Sequence, residues 1–199
     1  MITIRNGKRS LWTTKKRRRW PWVAAVLLLT LALLAGGTAV FFRQAYPLKY
    51  DEWIRKYSQE NDVPVDLVYA VIRTESSFRP DAQSNIGAKG LMQITEPTLD
   101  WIRFRMGETG AVSYEILYDP QENIRYGTYL LRLLLEEFGS QETALAAYHA
   151  GRGQVLQWLS DSQYSADSKT IDTIPFADTS HYVSKVLRAR NIYKQLYQL

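Results

Sequence analysis

Twenty consecutive residues without a charge, 23–42, restrict this chain more than any other feature in it. As a helix, a run of that length is roughly 30 Å long, about one bilayer hydrocarbon core. Lys15, Lys16, Arg17, Arg18 and Arg19 precede it and only Arg43 stands close behind, so the charge asymmetry puts the basic end on the cytoplasmic side. Trp12, Trp20 and Trp22 suit the interfacial aromatic belt. The competing reading is a cleaved signal peptide, whose apolar region would run about 7–15 residues to a small-residue cleavage site. This run is longer and ends in Val40, Phe41 and Phe42, which favours an uncleaved anchor. The flanking charges disfavour a buried helix of a soluble domain. The expected organisation is a basic cytoplasmic tail over 1–22, a transmembrane anchor over 23–42, a short stalk over 43–49 and a folded domain over 50–199. A single-pass protein of the cytoplasmic (inner) membrane is expected, with its N-terminus inside and its domain extracytoplasmic.

Charge follows the same division. The formal charge is +5, yet eight basic residues and no acidic one lie before residue 43, which leaves 17 basic against 20 acidic groups in the rest. The high isoelectric point therefore belongs to the tail. A basic run can bind nucleic acid, but its place directly before an apolar span gives it a topological role instead, and no nucleic-acid partner is expected. With no cysteine in the sequence, disulfides, thiolate metal sites and a lipid-modified cysteine are excluded.

From Asp51 onward the apolar spacing is helical. Trp53, Ile54 and Tyr57 form a stripe closed by Asn61, Asp62 and Pro64. Asp66 is placed as the N-cap of a second helix carrying Leu67, Ala70, Val71 and Thr74. Pro97 opens a third helix that runs to Gly107, and residues 107–118 read as an irregular surface connection. Asp119 and Pro120 start a long helix (a capping side chain followed by proline at the first helical position) and Gly139 closes it. Gly127 lies inside that helix at a cost of about 1 kcal/mol relative to alanine, which a close helix–helix approach would offset. An alanine-rich segment follows to Ala150, then a short helix with Val155, Leu156, Trp158 and Leu159, then a polar loop over 160–173. Thr179 or Ser180 caps a last helix through Tyr197. The fold class is mainly α, one helical domain of about 150 residues, with room for a small β element near the loop after Glu75.

That loop carries the chemistry. Glu75 falls in the last turn of the second helix, where the helix dipole disfavours a negative charge. Eleven residues of turn chemistry follow, 79–89, with Pro80, Asp81, Ser84, Asn85 and Gly87, before the chain turns apolar at Leu91, Met92 and Ile94. A carboxyl group enclosed there is partly desolvated, which raises its pKa and suits it to general-acid work near neutrality. Asp81, Glu96 and Asp100 are the nearby carboxylates that could serve as a second catalytic group. Asp81 reads as a local turn cap and Glu96 as exposed, so none is assigned. Two histidines without carboxylate or thiolate spacing give no metal site. His181 reads as an ordinary exposed residue.

The order Glu75, Ser76, Phe78, Pro80, Ala82, Ser84, Gly87, Ala88, Gly90, Leu91, Met92, Gln93, Ile94 resembles the catalytic signature of soluble-type lytic transglycosylases, lysozyme-like enzymes that cleave peptidoglycan glycan strands. The likeness continues in Asp119-Pro120 with Asn123, Ile124, Gly127 and Leu130, in 144–155 around Tyr148, His149, Gly151 and Gly153, and in Ile174-Pro175 with Asp178, Thr179, Tyr182 and Val183. It covers roughly residues 50–195. Two positions depart from the family pattern: His149 stands for the usual asparagine and Asp178 for a glutamate. The resemblance implies a goose-type lysozyme/transglycosylase fold with Glu75 as catalytic acid/base and Tyr182 beside it, orienting the carboxyl group or stabilising the transition state. It places Ser84, Met92 and Gln93 along the sugar groove, with Tyr148 and His149 on the opposite wall. For Met92 and Tyr148 pure packing, and for His149 a structural role, stay open. No cofactor is implied. The implied reaction is cleavage of the β-1,4 bond between N-acetylmuramic acid and N-acetylglucosamine with 1,6-anhydromuramic ends. A lysozyme-like hydrolase or a non-catalytic peptidoglycan-binding protein are the alternatives. Peptidoglycan and the membrane are the expected partners, with membrane or cell-wall complexes open.

Overall fold

A computed structural model describes residues 20–199 of the protein. Trp12 and the basic residues 15–19 lie outside the described residues. The chain divides into two units, the second beginning at Ala45.

The first unit contains α1 (Trp20–Ala45) up to its last residue; the helix runs three residues past the apolar stretch and takes in Arg43. The hydroxyls of Thr30 and Thr38 donate back to the carbonyls of Leu27 and Ala35, each at 2.9 Å. Those polar groups are thus satisfied within the helix, as a hydrocarbon surround requires. The most apolar 18-residue window between Trp22 and Ala45 has a mean hydropathy of 2.3, and by length and composition α1 can cross a bilayer.

The second unit is helical: α2 (Asp51–Asn61), α3 (Val65–Glu75), α4 (Glu96–Met106), a 3-10 helix (Tyr114–Tyr118), α5 (Pro120–Phe138), α6 (Gln141–Ala150), α7 (Arg152–Leu159) and α8 (Ala177–Tyr197). No strand occurs among the described residues; two isolated antiparallel bridges, Gln83 with Lys89 and Lys89 with Ile94, are the small β element. The centre is α3. Leu67, Val68, Tyr69, Ala70, Val71 and Ile72 are all buried, so it is apolar around its whole circumference and lies between α2 and α8. On the other side, α5 packs on α2 and α6.

Several expectations are corrected by long-range packing. Asp66 does not cap α3, whose N-cap is Pro64. It lies in the first turn, buried, and accepts from Arg190 Nε at 2.9 Å, tying α3 to α8; Arg190 also donates to Gln141 of α6. The last helix starts at Ala177, ahead of Thr179 and Ser180, and Thr179 is buried inside its first turn. The connection after α4 contains the 3-10 helix, capped by Ser113 accepting from the Glu115 N–H. The close approach at Gly127 comes from a loop and not from a helix: a Cβ there would land on the thioether of Met92.

The expected stalk is not free chain. Tyr46 and Leu48 are half-buried against the core. Tyr197 donates to the Tyr46 carbonyl at 2.7 Å and Tyr193 to the Pro47 carbonyl at 3.3 Å. The Tyr46 ring meets Tyr193 edge-on at 5.5 Å, and the Arg73 guanidinium lies 4.3 Å from its centroid. These partners stand 27 to 151 residues away in sequence, so local composition gives no sign of the strap they make.

Candidate active site

Glu75 is the last residue of α3, and the turn behind it is held by polar and packing contacts. Ser76 is buried and its hydroxyl donates to the Leu91 carbonyl at 2.8 Å, fixing the returning loop to the helix end. Ser77 and Phe78 follow with φ of 52° and 62°, left-handed conformations that non-glycine residues adopt only under constraint. Phe78 is kept there by burial and by its tilted contact with Tyr69.

The loop then folds on itself. Ser84 N donates to the Ala88 carbonyl at 2.9 Å, the Ala88 N–H donates to Ser84 Oγ at 3.0 Å, and Gly90 N donates to the Ala82 carbonyl at 2.8 Å. Gln93, also left-handed, donates from Nε2 to the carbonyls of Gly90 and Ala82 at 2.9 and 3.1 Å. Gly90 has φ of 76°, and a Cβ there would collide with Asn123 and the Leu117 carbonyl. From outside, the 3-10 helix braces the loop: Tyr114 donates to the carbonyls of Gly87 at 2.6 Å and Ile94 at 2.9 Å. Lys89 pairs with Glu115 and lies over the Tyr114 ring.

The result is an open cleft with an empty volume of about 660 Å³, open solvent included, lined by Glu75, Ser84, Gln93, Thr95, Tyr148, His149 and their apolar neighbours. Glu75 is the one carboxylate on its wall among the described residues. Asp81, Glu96 and Asp100 are exposed and none of them lines the cleft. Tyr182 of α8 lies just behind the wall, buried, and donates to Glu75 Oε1 at 2.7 Å. His149, in the last turn of α6, stacks on the Tyr182 ring with centroids 4.3 Å apart and planes at 19°. Its Nε2 is 3.9 Å from Oδ2 of Asp178.

Burial pushes the Glu75 carboxyl up from its ordinary value to about 7, against the opposing pull of the Tyr182 donor and the Lys185 charge. The group is thus a neutral acid over a physiologically useful range, with a carboxylate within reach. Burial, and then the nearby Glu75 charge, push the phenols of Tyr148 and Tyr182 well above their ordinary value, so both remain protonated donors. Burial lowers the His149 pKa, with Asp178 acting in the opposite sense.

Six of the seven residues singled out by sequence come together here. The exception is Met92. Its side chain is fully buried and lies over Gly127, so it does not line the groove. It contributes through its backbone: its N–H donates to Asn123 Oδ1 at 2.8 Å and its carbonyl accepts from the Tyr148 hydroxyl at 2.7 Å. Asn123, to which the motif assigns no role, is fully buried and also donates to the carbonyls of Lys89 and Leu117 at 3.0 and 2.8 Å. A polar residue beside Ile124 on the buried face of α5 was the available signal. Lys185, which acts on Glu75 from α8, carried none. Among the described residues, no three His, Asp or Glu side chains converge as a metal set would.

A mainly helical domain with one enclosed carboxylic acid, held by a phenol at the side of an open cleft, defines a lysozyme-like centre. The chain belongs to the transglycosylase SLT domain family, whose family model matches residues 52–171. It is 33% identical over 165 residues to the soluble lytic murein transglycosylase of Escherichia coli K12, a match that covers 82% of this chain and 26% of that protein. It is 33% identical over 213 residues to the membrane-bound lytic murein transglycosylase C of Serratia proteamaculans, covering 89% of this chain and 60% of that one. The chain therefore spans about a quarter of the soluble relatives' length. Among solved structures it superimposes on the 70 kDa soluble lytic transglycosylase of E. coli with a TM-score of 0.69 and 31% identity, covering 83% of this chain and 27% of that one. An inactive glutamate-to-glutamine mutant of the Pseudomonas aeruginosa lytic transglycosylase Slt gives 0.66 and 34%, covering 75% and 24%.

Proposed function

We propose that this chain is a membrane-anchored peptidoglycan lytic transglycosylase in which Glu75 is the sole acid/base. The observation that carries the reading is the single carboxylate on the cleft wall among the described residues, with its pKa raised to about 7. Retaining and inverting glycosidases of the usual kind place two carboxylates across the scissile bond. One carboxylate suits a substrate-assisted route. Protonated Glu75 gives its proton to the glycosidic oxygen as the bond from the muramic acid anomeric carbon breaks, and the N-acetyl carbonyl of that sugar stabilises the carbon. The same sugar's 6-hydroxyl then attacks it, returning a proton to Glu75 and closing the 1,6-anhydro ring without water. An internal nucleophile avoids much of the entropic cost of a bimolecular step. Tyr182 positions the carboxyl group, while Ser84, Gln93, Tyr148 and His149 contact the glycan. That an inactive form of a relative carries a glutamate-to-glutamine change supports a single essential glutamate.

The domain layout belongs to the same proposal: a basic tail inside, α1 across the cytoplasmic membrane, and the catalytic unit outside, where it reaches glycan near the bilayer. The hydropathy of α1 and a relative named membrane-bound support it.

The test is to incubate the detergent-solubilised full chain with purified peptidoglycan and weigh the released muropeptides. Anhydro ends are expected, lighter by one water than reducing ends. Reducing ends would make the protein a hydrolase, and no release from folded protein would leave a binding role. Resistance of the chain to alkaline extraction from membranes checks the anchor.

A further inference from the structure

His149 and Tyr182 form an aromatic pair whose ring stacking the acid/base reading does not use. His149 presents one edge to the cleft, yet one face of its ring is committed to Tyr182, at 4.3 Å and 19°. The same Tyr182 has its hydroxyl on Glu75 at 2.7 Å. The two contacts act on different parts of one phenol, the ring and the oxygen. A tyrosine ring can swing about its Cα–Cβ bond, and a hydrogen bond at the far end of that lever fixes the oxygen only if the ring is held. Core packing holds one side of Tyr182, which is 6% exposed. On the cleft side the imidazole is the covering group, stacked on the phenol ring.

We infer that His149 is a positioning residue for the acid: its ring is the plate that holds the Tyr182 phenol on Glu75. This deepens the transglycosylase reading and rests on it for the catalytic consequence, though the positioning itself does not. The groups facing His149 are Tyr148 on its own helix, Asp178 and Tyr182 on α8, and Glu75 at the end of α3; Lys185 acts on Glu75 from α8. Asp178, at 3.9 Å and exposed, steers the edge of the imidazole without competing for its face. The role assigned to the ring is thus separable from charge: phenylalanine supplies a face and no proton, whereas asparagine and alanine supply neither face.

The test needs no turnover. The full chain in detergent, labelled at glutamate Cδ, is titrated by NMR, with the Glu75 signal identified from its loss in Glu75→Gln. The Tyr182 donor favours the carboxylate, so losing it moves the Glu75 midpoint upward. Tyr182→Phe is expected to raise the midpoint by roughly half a unit to one unit. His149→Ala and His149→Asn should move it in the same direction, and His149→Phe should recover most of the difference. His149→Ala placed on Tyr182→Phe should add nothing further. In peptidoglycan assays Tyr182→Phe, His149→Ala and His149→Asn should lower kcat roughly tenfold and His149→Phe should retain most of it, while KM reports separately on the glycan contact of His149. A His149→Ala midpoint equal to the native one overturns the proposal, as does an undiminished shift on the Tyr182→Phe background or a phenylalanine variant that behaves like alanine. If the native chain releases no muropeptides while the titration behaves as expected, the transglycosylase reading fails and the positioning stands.

Discussion

The Tyr182 hydroxyl donates to Glu75 Oε1 at 2.7 Å across 107 residues of chain, joining the first turns of α8 to the last residue of α3. These two helices share the most extensive packing in the domain, so the bond spans two rigid elements. The buried Asp66–Arg190 pair fixes the same helices at the other end of α3. The acid is therefore placed by the core and not by a mobile loop.

Replacing Glu75 with glutamine should abolish glycan cleavage while the fold persists, because the amide oxygen still accepts from Tyr182. Its effect on stability depends on pH. The native carboxyl is raised from 4.5 to about 7, so between these values the folded state holds a proton that the unfolded state has lost. Native stability falls as pH rises through that window, by up to about 3 kcal/mol. Glutamine stays neutral, so the variant should unfold at higher denaturant than the native chain at pH 8 and at nearly the same concentration at pH 4. Equal curves at pH 8 would show that Glu75 is not desolvated.

Activity should follow the protonated acid. The rate on peptidoglycan is expected to fall as pH rises through about 7, the value set by burial of Glu75. Lys185→Ala removes a cation that favours the carboxylate, so it should move this limb to higher pH. The shift should be small, since Lys185 is exposed and screened by solvent. A pH–rate profile of both proteins decides it; a limb that moves downward would contradict the assignment.

How much could be read beforehand followed from the range of each interaction. Helix limits set by adjacent residues were legible: Asp119 with Pro120, Gly107 and Gly139 all act within one turn. The start of α8 was not, because its N-cap is Phe176 and has no side-chain bond to advertise it. The 3-10 helix at Tyr114–Tyr118 is too short to show a period. Glu75 was visible as an odd charge at a helix end, and Tyr182 only through its motif. The inward turn of Met92 depends on Gly127 and Asn123, more than thirty residues away, and no local pattern distinguishes it from a groove residue.

Gly127→Ala reverses a familiar sign. In an ordinary helix interior alanine gains about 1 kcal/mol over glycine. Here its methyl group would occupy the place of the Met92 thioether, and overpacking of this kind costs about 1–3 kcal/mol. A net loss of stability is expected by urea denaturation. Activity should drop as well, because the Met92 carbonyl holds Tyr148 at the cleft. Adding Met92→Ala should restore part of the stability by vacating the space. A stabilised single variant would mean the loop and α5 separate freely.

Asn123 tests whether the loop is held by polar bonds or by packing alone. Its three bonds, from the Met92 N–H and to the carbonyls of Lys89 and Leu117, are all buried. Alanine would leave the Met92 N–H unpaired and take one donor from each carbonyl; with about 1–3 kcal/mol for each unsatisfied group, a loss of roughly 3 kcal/mol is expected. Asn123→Asp is the sharper probe. It keeps the acceptor for Met92 but turns a carboxylate oxygen toward two carbonyl oxygens. Protonated, it can still donate once; ionised, it cannot. Burial disfavours the ionised form, so this variant should be near native at low pH and lose stability as pH rises past the ordinary carboxylate range. Denaturant curves at pH 4 and pH 8 measure that difference. A loss independent of pH would show that shape, and not the donated hydrogen bonds, is what Asn123 supplies.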